Sequence, residues 1–314
     1  MPVIVKKLGI KPFPLDDPDK LEELAKGFRN KSCGKLFRNV VGAFDGYLLR
    51  VSRKCLSKQA NVKKYFCRKQ FHAINCQVGC DADRRITYLS IMCPGATPDI
   101  LAHCAGPLHG AILDGQLDPK WQLIGDAAFP SYYDGQGSVF LIPFTRAELR
   151  DADTNQDRDS YNYYLSQIRI NIECCFGMLV NKFRVLTRAL ETTRLSRAVL
   201  TFRACCALHN FVIDCRLSEG VTRTEHAPNG HRLIQRPDLG RTDEIEFVEV
   251  PTMVPGSETV IWTRMHARNV SEYVAIDRAD AIAPTREEMV QRIRESGYIR
   301  PRTYGEPSHT YTHY

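Results

Sequence analysis

Four acidic residues stand where acids are not expected. Asp45 sits in the apolar run Val40-Val41-Gly42-Ala43-Phe44-Asp45-Gly46, inside or at the end of a strand. Asp99 follows Pro94-Gly95-Ala96-Thr97-Pro98, just after another strand-like run. Asp126 ends Leu123-Ile124-Gly125, and Glu173 lies beside the apolar face of a long helix in Asn171-Ile172-Glu173-Cys174-Cys175-Phe176-Gly177. An acid next to a buried strand loses hydration and must gain a partner. Several acids gathered together ionise cheaply only if a cation sits among them. Mg²⁺ or Mn²⁺ would answer that need, since hard divalent ions take carboxylate and phosphate oxygens. Two such ions, about 3.5–4 Å apart, would activate a water or a 3′-hydroxyl and steady the leaving oxygen of a phosphodiester. Taken singly, each acid also fits a turn, an N-cap or a solvated helix face.

The charge distribution supports a polyanionic partner. The chain of 314 residues carries 43 Lys and Arg against 36 Asp and Glu, a net charge of +7. Between Lys26 and Lys69 there are thirteen basic residues and a single acid, Asp45. Such a segment suits nucleic acid; it also suits a solvated face of a basic protein. With 43% hydrophobic and 25% charged residues, the composition excludes collagen-like and wholly disordered chains. No apolar run reaches the length of a membrane span, and Met1 to Lys11 has no apolar core of a secretory signal. The twelve cysteines include no C-x-x-C pair, so they read as free, mostly buried thiols.

These acids need elements to carry them. Asp16 to Phe28 fits a helix. Asn39 to Val51 reads as strand, Gly-flanked bend, strand, and Phe71 to Cys80 and Ile86 to Cys93 read as a hairpin turning at Asp81–Arg84. Trp121–Gly125 and Val139–Pro143 suit central strands buried on both faces. Apolar residues at helical spacing mark Tyr161–Arg184 and Leu195–Cys215. Thr285 and Glu288 have capping-box spacing before a helix over Arg286–Ser296, stopped by Gly297. The expected architecture is therefore α/β. A mixed sheet with helices packed on it occupies residues 40–215, after an N-terminal arm over 1–39. An irregular segment over 216–260 and a C-terminal extension over 261–314 follow it.

The motifs resemble the catalytic domain of PIF/Harbinger transposases and of the nucleases derived from them. Val41-Gly42-Ala43-Phe44-Asp45-Gly46 is similar to the family's first-aspartate strand, and Tyr65 to Gln77 to its Asn-Arg-Lys…Asn-x-Gln segment. Pro94 to Asp99 resembles its Pro-Gly-Ser-x-x-Asp turn, and Leu123 to Pro130 its Leu-Gly-Asp-Ser-Ala-Tyr-Pro block. Arg169 to Gly177, continued by Lys182-Phe183-Arg184-Val185-Leu186, is similar to Arg-x-x-x-Glu-x-x-Phe-Gly, and Ala204 to Asn210 to its last helix. Six blocks occur in order over about residues 30–215.

That resemblance implies an RNase H-like fold with a five-stranded sheet. It implies Asp45, Asp126 and Glu173 as the catalytic DDE triad and metal ligands, with Asp99 as a further metal-associated acid. The implied activity is divalent-metal-dependent DNA cleavage or strand transfer, in the nucleus, typically with a Myb-like DNA-binding partner; self-association is also an expectation. Three departures stand out: Tyr47-Leu48 replaces Thr-His, Pro98 replaces a His, and Arg84 replaces a turn Gly. About 40 residues precede Asp45, so the chain reads as a truncated copy lacking the family's upstream DNA-binding region. A non-catalytic, domesticated remnant that binds DNA or protein is the alternative. Arg68, Lys69 and Arg169 are candidate DNA contacts, though Arg68 and Lys69 equally fit surface charges and Arg169 an ion pair with Glu173. His209 reads as a hydrogen-bonded core histidine, and Tyr161, Tyr163 and Tyr164 as packing aromatics.

Overall fold

The computed structural model describes residues 2–133, 137–150, 155–218, 247–253, 260–266, 280 and 283–301. At its centre is a mixed five-stranded sheet. Its strands are β1 (Val40–Arg50), β2 (Ala73–Cys80), β3 (Ile86–Pro94), β4 (Gln122–Ile124) and, after the two short strands β5 (Tyr132–Tyr133) and β6 (Gly137–Ser138), β7 (Phe140–Leu141). The order is β3-β2-β1-β4-β7. β3, β2 and β1 run antiparallel, whereas β4 and β7 lie parallel to β1. This is the α/β arrangement expected from the sequence, and it fits an RNase H-like nuclease fold.

Helices cover both faces. They are α1 (Pro2–Leu8), α2 (Pro18–Lys31), α3 (Asp99–Cys104), α4 (Pro107–Leu113), α5 (Asn155–Lys182), α6 (Leu195–Ser218) and α7 (Arg286–Glu295). Alternate residues of a strand point to opposite faces, and β1 serves two cores accordingly. Ala43 packs with Cys76, Val78 and Ile124 beneath Ile168, Ile172 and Cys175 of α5 and Phe202 of α6. Phe44 points the other way, into a cluster with Leu21 of α2, Leu108 and Ile112 of α4, Leu123 and Phe140. α6 is long and apolar enough by composition to cross a membrane, yet Phe202, Cys206 and Ile213 are buried within the protein. All twelve cysteines are free thiols, seven of them buried.

Several elements differ from the sequence expectation. Asn39 to Val51 holds no bend: β1 runs unbroken for eleven residues, with Gly46 paired to Gln77 in continuous register. The glycine answers a close approach rather than a turn. A Cβ there would lie 2.2 Å from the Asp99 Oδ1. α1 and the β5–β6 pair were not foreseen, and α5 begins at Asn155, six residues before Tyr161. The stretch expected to be irregular contains β8 (Phe247–Met253), which pairs with β9 (Val260–His266) in an antiparallel hairpin. Most of the remaining residues between 216 and 260 lie outside the described residues.

Local rules hold elsewhere. Asp17 caps α2 by accepting from the Lys20 N–H at 3.0 Å. Thr285 and Glu288 form the full capping box of α7, whose Met289 and Ile293 are buried in the main core. In the β2–β3 turn the Asp81 carboxylate accepts from the N–H groups of Asp83 and Arg85. Arg84 takes the left-handed conformation there, φ +69°, where glycine is ordinarily favoured. Its carbonyl lies 2.8 Å from Nε2 of the fully buried His209, which is thus a hydrogen-bonded core histidine. Tyr161 and Tyr164 hydrogen-bond the carbonyls of Ile142 and Ile299, so they serve packing as expected.

Candidate active site

β1 and β4 set two carboxylates side by side. Ala43 pairs with Ile124 in parallel register. Asp45 and Asp126 each lie two residues further on. Two steps along β1 return Asp45 to the face of Ala43, the α5 side of the sheet, and Asp126 follows the end of β4, where its charge reaches Asp45. The Asp45 Oδ1 accepts the Gly46 N–H at 2.7 Å. The Asp126 Oδ1 accepts the Ala128 N–H at 2.9 Å, and the Asp126 carbonyl accepts the Phe129 N–H, closing the turn that follows β4.

Electrostatics join these groups. Burial drives the Asp45 carboxyl up from 3.8 to about 6, against the opposing hydrogen bond from Gly46. The negative charge of Asp126 adds to that rise, the Arg169 cation works against it, and Asp99 makes the smallest upward contribution. Asp45 is thus a carboxylate short of positive charge.

Glu173 reaches this group through Arg169. The two are one turn apart on α5, and Arg169 Nη2 lies 2.6 Å from Glu173 Oε1. The Glu173 side chain is half exposed, whereas Arg169 is mostly covered and is felt by Asp45. One guanidinium thus pairs with the helix acid and acts by its charge on the strand acid. Of the alternatives for Arg169, the pairing with Glu173 is the one the structure displays.

Asp99 occupies a different setting. It opens α3, and its Oδ1 accepts from Asn75 Nδ2 at 2.8 Å and from Gln77 Nε2 at 3.4 Å. Gln77 also donates to Asn75 Oδ1 at 3.0 Å, and Asn75 to the Thr97 carbonyl at 3.0 Å. Asn75 and Gln77 are paired with Leu48 and Gly46, so they point to the sheet face opposite Asp45. Asp99 is therefore held behind β1, against Gly46. The amides that anchor it carried no role in the sequence reading. Their signal was a pair of amides two residues apart in an otherwise apolar strand.

The rim residues also find their places. Tyr47, where the resembling family has Thr, turns into the core: it stacks on Phe202 at 5.0 Å and meets Phe176 edge-on at 5.2 Å. Arg68 and Lys69 are exposed at the tip of a tight turn closed by the Gln70 N–H donating to the Cys67 carbonyl at 3.0 Å.

Among the described residues, no group of three or more His, Cys, Asp or Glu side chains is gathered closely enough to hold a metal ion. The donor set at the end of β4 nevertheless suits a hard cation. Two neighbouring carboxylates, one raised by burial and by the charge of the other, present oxygen ligands and a deficit of positive charge.

The mixed five-stranded sheet with helices on both faces is of the α/β class and is consistent with the RNase H-like fold of DDE nucleases. The family model described as a DDE superfamily endonuclease matches residues 44–210, more than half of the chain, and the chain belongs to that family. Endonucleases of this superfamily use divalent metal ions. No curated protein and no solved structure matches the chain.

Proposed function

We propose that this protein is a divalent-metal-dependent DNA endonuclease of Harbinger transposase origin, with Asp45, Asp126 and Glu173 as its catalytic acids. The observation that carries the reading is the parallel β1–β4 register, which brings Ile124, two residues before Asp126, alongside Ala43, two residues before Asp45. Mg²⁺ or Mn²⁺ held by these acids would supply Lewis-acid activation of the attacking hydroxyl and charge relief at the leaving oxygen. The chain supplies the rest. The Gly46 N–H fixes one oxygen of Asp45, and the turn after β4 fixes one oxygen of Asp126. Arg169 holds Glu173 in an ion pair, and its charge works against the rise at Asp45. Asp99 acts from behind the strand: it is a positioning residue that locks β1 through Gly46, Asn75 and Gln77.

DNA is the substrate in this proposal, and the strip around Arg68 and Lys69 contacts its backbone. A Myb-like partner, self-association and a nuclear site of action belong to the same proposal by family resemblance. The test is cleavage of supercoiled plasmid with Mg²⁺ or Mn²⁺, comparing the wild type with Asp126→Ala. Loss of cleavage with retained DNA binding supports the reading. Equal cleavage by both proteins refutes it. A wild type that binds DNA but cleaves nothing with either ion favours the non-catalytic binding module.

A further inference from the structure

The basic strip continues past the carboxylates to a basin that they do not use. From Arg50 to Lys69 the chain carries eight Lys and Arg and no acid. β1 leads into this strip, and two short 3₁₀ turns, Arg53–Leu56 and Val62–Tyr65, fold it back towards β2. Between them lies a basin with a cavity volume of about 420 Å³, lined by Arg53, Val62, Lys63, Phe66 and His72. That volume falls within the range of small-ligand sites.

The lining combines three chemistries. Arg53 and Lys63 are exposed cations, and among the described residues no carboxylate pairs with either. Phe66 keeps 44% of its surface exposed, whereas most aromatic side chains among the described residues are buried. His72 meets that ring edge-on at 5.3 Å, leaving a face of Phe66 available. Phe66 is not a loose side chain. Its backbone bridges to His72, and its N–H donates to the Lys63 carbonyl at 3.0 Å. A neighbouring aromatic, Phe71, already carries the Arg50 guanidinium at 4.1 Å over its ring.

An exposed, anchored ring between two unpaired cations matches a nucleotide: a flat apolar base joined to a phosphate. Bases in a duplex are stacked on each other and have no free face, so the ligand is single-stranded. Proteins that hold single strands use this combination of stacking rings and a cationic track. We propose that this basin takes up one nucleotide of a single-stranded DNA segment, stacking its base on Phe66 and holding its phosphate between Arg53 and Lys63. The proposal deepens the reading of the protein as a DNA endonuclease and rests on it for the choice of DNA. The Val51 N–H donates to the His72 carbonyl at 2.9 Å, which puts the basin six residues along from Asp45. At about 3.3 Å per residue that is about 20 Å, several nucleotides from the carboxylates.

The experiment is equilibrium binding by fluorescence polarisation, in EDTA so that no cleavage intervenes. The probes are a blunt duplex, the same duplex with a short single-stranded DNA tail, one with an abasic tail, and one with an RNA tail. Wild type should prefer the normal tail to the blunt and abasic forms. Phe66→Ala should lose about 10-fold in affinity for the tailed duplex, with blunt binding unchanged, and Phe66→Trp should restore it. Arg53→Ala with Lys63→Ala should weaken tailed binding and flatten its salt dependence. The proposal is overturned if Phe66→Ala binds the tailed duplex like wild type, if its loss is equal on blunt DNA, or if the abasic tail binds as well as the normal one. Preference for the RNA tail overturns the choice of DNA. The two readings fail separately. Asp126-dependent cleavage without tail preference leaves the nuclease and removes the basin; tail preference with cleavage indifferent to Asp126→Ala does the reverse.

Discussion

Replacing Asp45 by asparagine should stabilise the metal-free protein at neutral pH while removing its activity. Unfolded, the Asp45 carboxyl ionises near 3.8; folded, burial and Asp126 raise it to about 6. Between those values the folded protein keeps a proton that the unfolded chain has released, so stability falls as pH rises through that window. Above about pH 6 the folded state carries the full cost of an ionised, poorly balanced carboxylate. A rise of that size corresponds to at most about 3 kcal/mol. Solvent reaches part of the side chain, which reduces the figure to about 1–2 kcal/mol. Asparagine keeps an oxygen to accept the Gly46 N–H, so the hydrogen bond survives. Thermal unfolding in EDTA should show Asp45→Asn melting about 3–6 °C above wild type at pH 7.5, with the gain vanishing by pH 4. Mn²⁺ at about ten times its dissociation constant should then raise the wild-type melting temperature, by about 1.4 kcal/mol of stability, and leave Asp45→Asn unmoved. A variant less stable than wild type at pH 7.5, or equally stabilised by Mn²⁺, would refute the picture of an unbalanced carboxylate pair.

Gly46→Ala should destabilise the protein by about 2 kcal/mol, because its Cβ would fall 2.2 Å from Asp99 Oδ1 and displace the carboxylate from Asn75 and Gln77; a melt lowered by about 4–8 °C checks this, and an unchanged melt rejects it. Glu173→Gln should change stability by less than about 1 kcal/mol, since its pairing with Arg169 is half exposed, yet plasmid cleavage should drop at least about 100-fold. A parallel loss of stability and cleavage would instead mark Glu173 as a structural residue.

What could be read ahead of the structure was whatever local rules determine. The hairpin of β2 and β3, the apolar core strands and the Thr285–Glu288 box all depend on neighbours in sequence, and all formed. The pairing of Asp45 with Asp126 was only half legible. Each acid marked the end of an apolar run, but the register that makes them neighbours is a long-range property of β1 and β4. Gly46 misled in the opposite sense. In sequence it looks like a bend, because nothing local reveals that a carboxylate from α3 will stand where its side chain would be. Asp99 read as a further acid beside the triad; that its carboxylate would stand against Gly46, on the sheet face opposite Asp45, depends on the long-range packing of α3. The left-handed Arg84 is a third case: a conformation ordinarily given to glycine is occupied by a bulky residue whose carbonyl is engaged by His209.

The return of the chain at its end has a consequence for how the protein breaks. Gln122, at the start of β4, donates to the Pro284 carbonyl at 2.6 Å, and Asn39, just before β1, donates to that of Asp280 at 2.9 Å. The last helix then sets Met289 and Ile293 into the interior. A protease cut anywhere between 219 and 279 would therefore yield two polypeptides that co-purify as one particle. They would separate only in denaturant, as the halves of a split protein do, and such a pair could be reassembled from separately expressed pieces.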